Sequence, residues 1–75
     1  MQKVLKELSV KFNVEFTQVK DRDTFMQKLQ NGKKFRGSLE LKNTAVYRVD
    51  AGNRDNSVLG IYLYEYDKYF LTNKL

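Results

Sequence analysis

The sequence predicts a small α+β domain, and three patterns carry that reading. Apolar residues recur at helical spacing near the N-terminus and again over 25–29. Apolar and polar residues alternate over 33–50, and the run 58–66 is apolar on almost both sides. The expected architecture is an N-terminal helix and a short second helix packed on a three-stranded antiparallel sheet, with residues 14–19 as a candidate fourth strand. A chain of 75 residues suits one domain, spanning 1–75.

From Gln2 to Phe12, the residues Val4, Leu5, Leu8 and Phe12 fall on one helical stripe, with Lys3, Lys6, Glu7 and Lys11 elsewhere. Asn13 suits the left-handed residue that ends such a helix. Val10, Phe12, Val14 and Phe16 also alternate with polar neighbours, so residues 10–19 admit a strand. A helix to about Phe12 and a strand over 14–19 reconcile the two patterns. Asp21 or Asp23 can cap a second helix carrying Phe25, Met26 and Leu29, which Asn31 and Gly32 would end.

In the strand over 33–41, Phe35, Leu39 and Leu41 share one side, and Lys34, Arg36, Ser38 and Glu40 the other. A loop at Lys42-Asn43-Thr44 sets Leu41 opposite Ala45, Leu39 opposite Tyr47 and Arg36 opposite Asp50. A two-residue turn would mix the faces, so the longer loop is expected. Polar residues 52–57 lead to a strand from Val58 to Tyr66, which should be central or covered on both sides. The tail from Asp67 to Leu75 is expected as a short helix or a frayed end.

Charge is segregated. Residues 1–42 carry ten Lys and Arg against five Asp and Glu, whereas residues 43–75 carry four of each, so the whole net charge of +5 lies in the first part. Such asymmetry favours an anionic partner, either nucleic acid or an acidic protein surface; excess lysine also serves solubility alone. Lys28, Lys33, Lys34 and Arg36 run without an intervening acid, and Lys42 shares a strand side with Lys34 and Arg36. Such a cluster can hold phosphates, which need only an approach by cations, although a charge run is more often a solvated face. Tyr62, Tyr64 and Tyr66 lie two apart, so one strand would aim all three to one side. That row can stack nucleobases or anchor a protein interface; the alternative is a face covered by a helix.

Three local likenesses bear on function. The stretch from Leu5 to Val19, with Ser9 at the helix contact, Asn13 in the turn and Val14 and Val19 at packing positions, resembles the first helix and turn of bacterial winged-helix regulators. That resemblance implies a second helix in the major groove and a basic hairpin as the wing. It stops at Arg22 and Asp23, where apolar residues are required. Gly60-Ile61-Tyr62 resembles the opening triplet of the GIY-YIG nucleases, but no second triplet follows. Glu65-Tyr66-Asp67-Lys68 resembles a metal-nuclease strand, without an upstream acid clearly placed to join it.

Histidine and cysteine are absent, which excludes the usual serine or cysteine triads, zinc sites built on those ligands, and disulfides. The glycines, at 32, 37, 52 and 60, form no phosphate loop. No apolar run approaches the roughly 18 residues of a membrane span, and the charged N-terminus lacks a signal-peptide core. The expectation is a cytoplasmic, non-catalytic binding protein without cofactor or membrane. Its expected partner is DNA or RNA, held by Lys28, Lys33, Lys34, Arg36, Lys42, Tyr62, Tyr64 and Tyr66. The alternative is an accessory protein of the phage or mobile-element type that docks on a host protein; the Lys-, Asn- and Tyr-rich, alanine-poor composition is that of an AT-rich genome. Pairing with a second copy through the last strand or the tyrosine face is a third option.

Overall fold

The computed structural model describes residues 2–29, 34–41, 44–50 and 57–73, with Gln2 and the strand 34–41 described by backbone alone. The chain runs α1 (Gln2–Phe12), β1 (Phe16–Val19), α2 (Arg22–Lys28), β2 (Lys34–Leu41), β3 (Thr44–Asp50), β4 (Val58–Leu63) and β5 (Lys68–Thr72). All five strands form one antiparallel sheet in the order β1-β5-β4-β3-β2. The α+β class stands. To the three expected strands the fold adds β1, the candidate fourth, and β5, drawn from the tail.

α1 ends as its sequence dictates. Asn13 adopts the left-handed conformation, with φ 53°. Its N–H donates to Val10 O (3.3 Å) and that of Val14 donates to Ser9 O (3.0 Å). These bonds are the paired closures that satisfy the last helical carbonyls. Val14 then turns inward to join Leu8 in the core. A strand follows, so the second helix that a winged-helix reading requires after Asn13 is replaced by β1. Asp21 caps α2: its Oδ1 accepts the Thr24 N–H at 2.9 Å. α2 stops at Lys28 with Leu29 as its cap, ahead of the expected stop at Asn31 and Gly32, which lie outside the described residues.

The helices occupy opposite faces of the sheet. Val4, Leu8 and Phe12 of α1 pack with Val46, Ile61, Leu63 and Phe70. Phe25 and Leu29, from α2 and its cap, pack with Val49, Leu59 and Leu71. Because strand side chains alternate, neighbours such as Phe70 and Leu71 serve different helices. This accounts for the doubly apolar run in β4, which is the central strand. It also explains Gly60, where a Cβ would lie 2.9 Å from Phe25 Cε1 and 3.0 Å from Phe70 O. The glycine lets α2 approach the sheet backbone, so the Gly60-Ile61-Tyr62 triplet has a packing role.

Two register expectations are corrected. Leu41 pairs with Thr44, Leu39 with Val46, Ser38 with Tyr47 and Lys34 with Asp50. Only Lys42 and Asn43 separate the paired ends, so the connection is the short one. The conflict between faces is resolved by an irregularity between Phe35 and Ser38, since a bulge can change which side later residues take. Lys34, and not Arg36, stands at the register position opposite Asp50. The tail is also corrected: Lys68–Thr72 is rich in strand-forming residues and pairs with both β4 and β1.

Candidate binding surface

The expected tyrosine stripe takes a different form. β4 ends at Leu63, which pairs with Lys68, and residues 64–67 form the turn. Tyr66 N–H donates to Leu63 O (3.1 Å), and Asp67 takes a positive φ of 53°. Only Tyr62 therefore lies on the strand, whereas Tyr64 and Tyr66 ride the turn. The three do not form one strand face.

An aromatic row nevertheless crosses the sheet. Tyr47 of β3 pairs with Tyr62 of β4, and Tyr62 pairs with Tyr69 of β5. Tyr62 and Tyr69 stack at 4.5 Å between centroids and 17° between planes. Tyr64 folds back from the turn to lie 5.2 Å from Tyr47 and 6.1 Å from Tyr62. Phe25 touches Tyr69 at 5.1 Å and joins this row to the core below α2. Tyr47 is 42% exposed, and Tyr64 and Tyr66 are each 40% exposed. Tyr62 and Tyr69 are half-buried.

The row is braced by a hydrogen bond from Tyr62 Oη to Asp67 Oδ1, at 2.9 Å. That acceptor, followed by desolvation and the carboxylate's charge, pushes the Tyr62 pKa up to about 12. Asp21, the α2 cap, has its pKa lowered, chiefly by the backbone N–H of Thr24 and then by that residue's side chain.

The sequence-derived cations divide. Lys28 is exposed at the end of α2. Lys34 and Arg36 belong to the edge strand β2, Arg36 within its irregular stretch, while Lys33 and Lys42 lie outside the described residues. β2 adjoins the strand that carries Tyr47, with Ser38 directly opposite it. The cationic edge strand and the aromatic row are thus sheet neighbours. Arg48, by contrast, turns inward: its guanidinium lies 5.5 Å from the Phe12 ring centroid, and its Nε is 3.6 Å from Asp50 Oδ2.

Sequence reasoning missed Tyr47 and Tyr69. Reading Lys68–Thr72 as a strand would have found Tyr69, because the segment is rich in β-formers. Tyr47 needed the β3–β4 register, which short-range pattern does not supply. Among the described residues no group of three or more acids is placed to hold a metal ion, and no helix is long and apolar enough to cross a membrane. No family model, curated protein or solved structure matches this chain.

Proposed function

We propose that this chain is a cytoplasmic, non-catalytic nucleic-acid-binding protein that lays a single strand across the Tyr47–Tyr62–Tyr69 row. The carrying observation is that an exposed aromatic surface adjoins the strand holding Lys34 and Arg36. Tyrosine rings on a sheet accept unstacked bases of any sequence, and a cationic edge holds the phosphates. Duplex bases present no free faces, so a single strand is the preferred ligand. Tyr47 and Tyr64, the more exposed rings, are assigned to stacking, and Tyr62 and Tyr69 to supporting them.

Titration of labelled single-stranded DNA and RNA across a salt series tests this. Affinity should fall steeply with salt, and Tyr47→Ser should weaken binding by about 1–3 kcal/mol, the usual worth of one stacked base. Absence of binding near about 50 mM salt, or an affinity indifferent to salt, removes the proposal.

A second reading is favoured by the mutual stacking of Tyr62 and Tyr69, which leaves less ring face for bases. In it the tyrosines anchor a protein interface, as in an accessory protein that docks on an acidic host surface. A partner captured from lysate that survives nuclease treatment supports this second reading; loss of every partner under nuclease removes it.

A further inference from the structure

We propose that a pocket beside α2, lined by Lys20, Arg22, Lys68 and Tyr69, binds a phosphate monoester: the terminal phosphate of a nucleic-acid strand or of a free mononucleotide. The pocket holds about 270 Å³ and lies where β5 begins and the chain enters α2. That falls below the roughly 300–1,000 Å³ usual for larger organic ligands and suits a phosphate with part of its sugar. Lys20, Arg22 and Lys68 are all exposed; the charge of Lys20 acts on Asp21, and among the described residues no ion pair at contact distance ties any of the three to a carboxylate.

Two carboxylates, Asp21 and Asp67, share the lining. Each already has an oxygen engaged within the protein, by Thr24 N–H and by Tyr62 O–H respectively, both at 2.9 Å. Both carboxylates keep their charge, so the lining carries three cations against two anions, with Gln18 as a neutral donor. Arg22 offers a planar fork that matches phosphate oxygens, and the lysines add point charge. A monoester, at about −1.5 to −2 near neutrality, draws more from this net cationic lining than a diester bearing one charge. Tyr69 supplies continuity, since it both lines the pocket and stacks on Tyr62. A strand on the tyrosine row would thus bring its end to the pocket. For that strand the proposal rests on the nucleic-acid reading; for the phosphate it rests on the pocket alone.

The experiment has two arms. In the first, oligonucleotides of one sequence, with and without a 5′- or 3′-terminal phosphate, are titrated against the full chain and a Lys20→Gln/Arg22→Gln variant. A terminal phosphate at one of the ends should tighten binding about tenfold, and the variant should lose that gain while keeping the affinity for unphosphorylated strand. In the second, inorganic phosphate and a 5′-mononucleotide are followed by NMR, with shifts expected at the amides of Lys20, Arg22 and Lys68. Both substituted residues are exposed, and an unchanged melting curve verifies that the variant is folded. If the amides shift but no oligonucleotide binds, the phosphate pocket stands and the nucleic-acid reading falls. If strands bind regardless of terminal phosphate and the amides stay still, the pocket proposal is overturned and the nucleic-acid reading survives.

Discussion

One face of the sheet is closed and the other is half open, and helix length accounts for much of the difference. α1 has 11 residues and spans about 16 Å; α2 has 7 and spans about 10 Å. Beneath α1, Val46, Ile61, Leu63 and Phe70 are all buried. Beneath α2, cover reaches Val49, Gly60 and Leu71, and the next cross-strand row holds Tyr47, Tyr62 and Tyr69. Tyrosine suits that border, because its ring packs against the core and its hydroxyl reaches water. The contrast teaches that the larger buried cluster lies beneath one helix, while the exposed aromatic row, our proposed binding surface, lies beside the other.

Replacements on the two faces should separate those roles. Phe12→Ala, beneath α1, should cost about 3–5 kcal/mol. A domain of this size has roughly 4–11 kcal/mol to lose, so urea unfolding should register a large shift in midpoint. Tyr64→Ser, on the open face, should cost about 1 kcal/mol in the same assay, through its two ring contacts, while weakening strand binding. A comparable loss of stability from both variants would break the comparison.

Gly60→Ala tests how closely α2 sits on its face. The added methyl meets the Phe25 ring and a backbone carbonyl, so a loss of about 1–3 kcal/mol is expected in urea unfolding. Phe25→Leu in the same chain should recover part of that loss by withdrawing the ring edge; if it recovers nothing, the carbonyl contact alone sets the cost.

A gentler probe is the Tyr62–Asp67 bond. The folded state raises the phenol from 10.0 to about 12 and so favours its neutral form. The resulting stabilisation is complete below pH 10.0 and is lost as pH climbs through about 12. Ultraviolet difference titration should follow a late-ionising tyrosine that vanishes in Tyr62→Phe and moves towards 10.0 in Asp67→Asn. Asparagine tolerates the positive φ at that position, so the turn should persist. A titration unchanged by Asp67→Asn would remove the brace.

The smallest effect is expected from the cap. Asp21→Ala should lower Tm slightly above the ordinary carboxylate value of 3.8. The difference from wild type should disappear as acid takes the pH through the lowered folded pKa. Thermal melts at several pH values check this, and a difference that grows in acid would contradict the cap assignment.

Some of this was legible from local pattern. The helical stripe of Val4, Leu8 and Phe12 and the left-handed stop at Asn13 act over a few residues, and both stand in the fold. The double apolarity of Val58–Leu63 likewise announced a covered central strand. The tyrosine stripe misled because alternation persists through Tyr64 and Tyr66 after the backbone has turned, and letters two apart do not reveal a positive φ at Asp67. The β2–β3 register misled for a related reason: the pairing shifts between Phe35 and Ser38, and alternating letters do not announce such an irregularity.

Periodicity and capping chemistry were enough to specify α1 and the α+β class and to narrow the start of α2 to Asp21 or Asp23. These properties are set by neighbours along the chain. Which helix lies on which face, that Tyr47, Tyr62 and Tyr69 form a row, and that Lys20 and Arg22 meet Lys68 at one pocket all depend on contacts between distant segments. Such contacts follow from strand register and turn geometry, where a shift of one residue reassigns every side chain to the opposite face.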